Sequence, residues 1–196
     1  MNIGIFGGSF NPIHLGHTRL AAFIRQQAGL DEVWLMVSPN NPLKAASGLM
    51  DEKMRYHLAE LATAELEGIR PSDFEFHLPR PSYTIHTLEQ LTAAYPQHQF
   101  SLIIGSDNMA IFHKWKDWQR ILALYPIIVY PREGDDLAAL KQLYPMMHVI
   151  EGAPLLNISA TEIRAHLQDD TLLREWLHPD VATCLRMHKD EKNEFF

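Results

Sequence analysis

Ile3-Gly4-Ile5-Phe6 runs straight into Gly7-Gly8-Ser9-Phe10-Asn11-Pro12-Ile13-His14-Leu15-Gly16-His17. A short apolar run, a pair of glycines and then an amphipathic stretch predict a buried strand, a phosphate-handling turn and a first helix. Adjacent glycines let the backbone approach a bulky anion and permit positive φ without steric cost. The helix aims its free N–H groups and the positive end of its dipole at the same spot. His14 and His17, three apart, share one face of its opening turn, so two imidazoles converge on one anion. The spacing is neither the G-x-G-x-x-G of a dinucleotide fold nor the G-K-[ST] ending of a P-loop. A helical zinc pair would set its histidines four apart with a Glu between them, and no cysteine cluster accompanies this pair. With 11 histidines in the chain, one of them could serve as a helix cap or core group; the pair on a glycine turn favours the phosphate.

Outward from this turn, short apolar runs alternate with amphipathic stretches, the pattern of parallel strands linked by helices. Strands are predicted at Met1–Phe6, Glu32–Ser38, Asp73–Phe76, Phe100–Ile104, Ile127–Tyr130 and His148–Ile150. The expected fold is α/β: a Rossmann-like doubly wound parallel sheet with helices on both faces, residues 1–196 forming one domain. The first helix should bury Leu20, Phe23 and Ile24. The second, from Met50 to Leu66, should bury Met54, Leu58, Leu61 and Leu66, and a third opens near Thr84 with Leu88 and Leu91 inward. Two short helices split at Pro179 end the chain, and Asp190 to Phe196 are expected to fray. In such a sheet, ligands lie beyond the carboxyl ends of the strands. The loops there carry Gly7 to His17, Asn40-Asn41-Pro42-Leu43-Lys44, Gly105-Ser106-Asp107-Asn108 and Pro131-Arg132-Glu133-Gly134.

The chain of 196 residues has a formal charge of −7 and no Lys/Arg block, which argues against a nucleic-acid surface. Its single cysteine, Cys184, reads as a small buried hydrophobe, and no disulfide framework exists. The N-terminal apolar run is too short for a signal peptide and no window reaches membrane-spanning length, so the cytoplasm is the expected compartment.

A second anion clamp stands near the C-terminus in Asn157-Ile158-Ser159-Ala160-Thr161-Glu162-Ile163-Arg164. Ser159 and Glu162 are spaced as a capping box, which accounts for both without a ligand. Thr161 and Arg164 remain, and a hydroxyl and a guanidinium at a helix start suit the terminal phosphates of a nucleotide. Gly-Gly-Ser-Phe-Asn-Pro-x-His-x-Gly-His together with Ile-Ser-Ala-Thr-x-Ile-Arg resembles the nucleotidylyltransferases. His-x-Gly-His also occurs in class I aminoacyl-tRNA synthetases, but those are larger and use a lysine-rich second motif absent here. Arg80-Pro81-Ser82-Tyr83-Thr84-Ile85-His86-Thr87-Leu88, Ile104-Gly105-Ser106-Asp107-Asn108 and Phe112-His113-Lys114-Trp115-Lys116-Asp117-Trp118 narrow the resemblance to bacterial nicotinate-nucleotide adenylyltransferases, over Met1 to about Leu167.

The resemblance implies transfer of the adenylyl group of ATP to nicotinate mononucleotide, with Mg2+ accompanying ATP and no metal cage of protein ligands. It implies that His14, His17 and Arg164 act on the phosphates, with Gly7, Gly8, Ser9, Phe10, Gly16, Lys44, Ser159 and Thr161 also binding ATP. Tyr83, Thr84, Gly105, Asp107, Trp115, Lys116 and Arg132 would bind the acceptor. Trp115 can stack on a pyridine ring, and N–H groups near Tyr83, Thr84 and Lys116 can receive its carboxylate, whereas Trp118 is expected in the core. Leu43 stands where many members carry His, and Asn11 where an Asp is common. Alternatives are a nicotinamide mononucleotide or phosphopantetheine acceptor, or a nucleotide sensor without turnover. Self-association is compatible with the sequence.

Overall fold

The structure is a computed structural model that describes residues 1–39, 48–154 and 158–191. Lys44 with the rest of the 40–44 segment, Asn157 and the terminal residues 192–196 lie outside the described residues. Strands β1 (Asn2–Gly8), β2 (Glu32–Val37), β3 (Ile69–Ser72), β4 (Gln99–Gly105), β5 (Ile127–Tyr130) and β6 (His148–Val149) form one sheet in the order β3-β2-β1-β4-β5-β6. Every pairing is parallel. The helices are α1 (Leu15–Gln27), α2 (Glu52–Thr63), α3 (Thr84–Ala94), α4 (Ser106–Ala110), α5 (Trp118–Leu124), α6 (Leu137–Leu143), α7 (Ala160–Ala165), α8 (Asp170–Trp176) and α9 (Pro179–Glu191).

Successive strand residues face opposite sides of a sheet, so a strand covered on both faces is apolar throughout. Val33, Leu35 and Val37 of β2 enter one core with Leu20 and Ile24 of α1, Leu58 of α2, Leu173 of α8 and Val181 of α9. Trp34 and Met36 enter the other with Leu88 and Leu91 of α3, Ile121 of α5 and Leu140 of α6. Phe23, Met54, Leu61, Leu66 and Cys184, expected inside, are partly buried against the first core, with Leu66 beyond the end of α2.

Two predicted strands shift. β1 continues through Gly7 and Gly8, which pair with Met36 and Val37, so the turn begins at Ser9. The third strand lies at Ile69–Ser72, ahead of the predicted Asp73–Phe76, and Phe74–His77 is a 3-10 helix. β3 pairs only with β2, and a sheet edge tolerates Pro71 because no ladder partner needs its missing N–H. The Phe-Glu-Phe alternation that suggests a strand instead sends Phe74 toward one core and Phe76 toward the other.

β1 lies between β2 and β4, so the connections leave it in opposite directions. That reversal opens a crevice above the carboxyl ends of β1 and β4. Among the described residues no helix is long and apolar enough to cross a membrane.

Candidate active site

Gly7 borders open space, since a Cβ there would meet nothing within 4 Å. Gly8 has a different reason to be glycine: a Cβ would lie 2.9 Å from the ring of Phe10. The positive φ expected of the glycine pair falls on Phe10, at 44°. That conformation costs on the order of 1–3 kcal/mol for a side-chain-bearing residue. It turns the ring inward, 2% exposed and edge-on to Phe6 and His17.

His14 is the N-cap of α1 in an extended conformation, and Gly16 lies in the first helical turn. The His14 and His17 rings stack with centroids 3.7 Å apart. The His14 backbone N–H donates to Nδ1 of His17 at 3.3 Å, which leaves the proton of a neutral His17 on Nε2. Nδ1 of His14 is buried with no hydrogen-bond partner among the described residues. Burial, assisted by the Arg132 guanidinium, lowers the His14 pKa from 6.5 to about 4. His14 is therefore neutral at pH 7, and among the described residues arginines stand close to the turn.

Arg164 supplies part of that charge. Its Nη1 donates to the carbonyl of Asn11 at 2.8 Å and its Nη2 to Thr161 Oγ1 at 3.2 Å, so Thr161 orients Arg164 on the turn after β1. The Ser159 hydroxyl accepts from the Glu162 N–H, the first half of the expected capping box, but the Glu162 carboxylate accepts from that same hydroxyl instead of from the Ser159 backbone N–H. Those bonds account for Ser159 without a nucleotide.

On the other side of the crevice, Gly105 precedes α4, and a Cβ there would collide with the Asp107 carboxylate. Asp107 Oδ1 lies 3.9 Å from Arg132 Nε. The Arg132 N–H donates to Ser106 Oγ at 2.7 Å, and that hydroxyl donates to Asp135. Arg132 thus acts electrostatically on His14 while pairing with Asp107, and links the two sides of the crevice. Tyr83 is the N-cap of α3 without a side-chain cap bond, and the first helical N–H it receives on its carbonyl is that of Thr87, so the first-turn N–H groups of Thr84, Ile85 and His86 have no cap from Tyr83. Nζ of Lys116 sits 4.6 Å from the Tyr83 ring centroid, which joins the two predicted carboxylate-binding segments. Trp115 is partly buried beside Phe112, with a buried indole N–H lacking a partner among the described residues. Trp118, expected in the core, is only partly buried and packs edge-on against Phe112 and Tyr144 at its margin.

The cytidylyltransferase-like family matches residues 5–166. A protein of Bacteroides fragilis (strain YCH46) named "Probable nicotinate-nucleotide adenylyltransferase" is 49% identical over 178 residues, 91% of this chain and 88% of that protein. One of the same name from Flavobacterium johnsoniae is 43% identical over 182 residues, 92% and 94% of the two chains. The chain belongs to the nicotinate-nucleotide adenylyltransferase family. In fold it is similar to the Plasmodium falciparum nicotinic acid mononucleotide adenylyltransferase complexed with NaAD, with a TM-score of 0.81, 20% identity and coverage of 98% of this chain and 99% of that one.

Two buried polar residues of this nicotinate-nucleotide adenylyltransferase family member escape a reading of its motifs, and a third, Asn11, enters that reading only as a departure from the usual Asp. Arg55 is fully buried on α2, Asn11 is 6% exposed, and Glu75 accepts hydrogen bonds from Ser82 and Thr87. The signal for Arg55 is a charge in phase with Leu58, Ala59 and Ala62 on the apolar face of α2.

Proposed function

We propose that the chain transfers the adenylyl group of ATP to nicotinate mononucleotide, giving nicotinic acid adenine dinucleotide and pyrophosphate in NAD biosynthesis. One observation carries this reading: His14, His17 and Arg164, from opposite ends of the chain, are tied to a single turn at the point where strand order reverses. An oxygen of the acceptor phosphate attacks the α-phosphorus, and the bond to the bridging oxygen breaks with its electron pair leaving on pyrophosphate. A phosphate monoester has its second pKa at about 6, so at neutral pH the acceptor is already anionic and no general base is required. The protein's task is alignment and charge stabilisation.

His17 donates through Nε2 to charge growing at the α-phosphate. Arg164, oriented by Thr161, binds the β- and γ-phosphates, and Gly7 gives them open space beside the backbone. Lys44 adds a cation from the segment after β2. Mg2+ brought in with ATP would neutralise part of the phosphate charge. The carboxylates of Asp107 and Asp135 already face Arg132 and Ser106, an arrangement suited to an ion held chiefly by phosphates and water. On the acceptor side, Trp115 offers a ring to stack on, Asp107 accepts from a ribose hydroxyl, and the uncapped start of α3 receives the nicotinate carboxylate. An amide would turn its NH₂ toward one of those donors, which favours the acid.

Product analysis with ATP and Mg2+ tests the reading, using nicotinate mononucleotide in one arm and nicotinamide mononucleotide in the other. Dinucleotide and pyrophosphate are expected chiefly in the first arm. Dinucleotide in neither arm overturns adenylyl transfer, and equal yields in both overturn recognition of the carboxylate.

A further inference from the structure

Arg55 is the largest fully buried side chain among the described residues. A guanidinium has five N–H donors and no acceptor, and here four backbone carbonyls receive four of them. Nε donates to Met50 at 2.9 Å, Nη1 to Ser9 at 2.6 Å and to Ser38 at 2.8 Å, and Nη2 to Pro39 at 3.1 Å. Those carbonyls belong to three separate segments: the turn after β1, the exit from β2 and the approach to α2. Asn11 fastens the same approach from the other side. Its Nδ2 donates to the Gly48 carbonyl at 2.8 Å and its Oδ1 accepts from the Met50 N–H at 3.0 Å.

Packing alone does not account for an arginine in this place. A buried charge is costly to desolvate, and apolar residues of similar volume often replace buried ionic groups at no loss of stability. Arg55 remains charged at neutral pH although burial lowers its pKa. Two consequences follow from its position. A positive charge is fixed beneath the phosphate turn. The Ser9 carbonyl is also drawn toward α2, and across the trans peptide the Phe10 N–H must then point the opposite way, out of the buried side of the turn.

We propose that Arg55 is a positioning residue for adenylyl transfer: it sets the Ser9–Phe10 peptide and locks the turn after β1 to both neighbouring segments, so that the ATP phosphates meet a preformed, positively charged seat. The inference rests on the adenylyl-transfer reading above. Arg55→Lys keeps the charge but gathers its donors on one nitrogen, which cannot reach carbonyls on three segments; Arg55→Gln removes the charge as well. Circular dichroism and thermal melting establish folding, calorimetry with a non-hydrolysable ATP analogue reads the turn, and steady-state kinetics separates the two substrates.

Both variants should fold, lose about tenfold or more in analogue affinity and kcat, and keep the KM for nicotinate mononucleotide within about twofold. Lys should recover part of the affinity lost with Gln while kcat stays low. A folded Lys variant with affinity and kcat within about twofold of wild type overturns the proposal. Equal losses toward both substrates overturn it in favour of general loosening, and failure of both variants to fold with or without the analogue assigns Arg55 to stability alone. Should the wild type bind the analogue yet make no dinucleotide, the functional reading fails, while the calorimetric arm still decides the role of Arg55 in shaping the turn.

Discussion

His14 stands beside an expected phosphate site and is nonetheless uncharged at neutral pH. Its pKa falls from 6.5 when exposed to about 4 in the fold, so below pH 6.5 the unfolded chain binds a proton that the folded chain resists. The stability His14 allows is complete above pH 6.5 and declines as pH falls toward 4, by a total on the order of 3 kcal/mol at 1.36 kcal/mol per unit. A His14→Gln variant should therefore lose less stability than wild type between pH 6.5 and 4; parallel melting curves across that window would refute the burial argument. His17 carries a different weight. With Nδ1 engaged by the His14 N–H, its Nε2 is the donor, and His17→Ala should lower kcat by about 10²-fold or more while the fold persists. Turnover near the wild-type value in that variant would remove His17 from the chemistry. Both histidines and Arg164 were legible because their side chains carry reactive groups at recognisable spacings. Arg55 was not, since it serves backbone carbonyls that come together only in the folded chain, and the left-handed Phe10 was hidden by two better candidates for positive φ beside it.

Among the elements, α3 shows how a helix start is aimed. Its first turn has no side-chain cap, and its orientation rests on Glu75 below it, where the Thr87 hydroxyl donates at 2.8 Å and that of Ser82 at 3.3 Å. Burial raises the Glu75 pKa despite these bonds. Glu75→Ala should cost about 1–3 kcal/mol through the hydroxyls left without their acceptor, as thermal or denaturant unfolding would show. Because α3 opens on the proposed acceptor side, the KM for nicotinate mononucleotide should rise more than that for ATP; the reverse order would place Glu75 outside acceptor binding. This element was half legible. Leu88 and Leu91 set the helix by their spacing, while the strand before it was misplaced because Pro71 disguises an edge strand and Phe74 and Phe76 imitate a buried one.

At the scale of the molecule, the doubly wound parallel sheet follows from alternating strands and helices, while the order β3-β2-β1-β4-β5-β6 that frames the candidate site is seen only in the folded chain. The C-terminal helices matter differently. The family match ends at residue 166, yet Leu173, Leu177, Val181 and Leu185 are buried in the core that α1 and α2 share. Each buried side chain of this kind contributes about 1.5–3 kcal/mol, so four together rival the 5–15 kcal/mol by which a domain is stable. A chain ended after Gln168 should lose its cooperative thermal transition; a truncated form that melts within a few degrees of the full chain would show the tail to be dispensable. The hydrogen bond from Arg164 to the Asn11 carbonyl joins residues 153 positions apart. The two halves of the proposed phosphate seat are thus held together by the sheet between them rather than by local sequence.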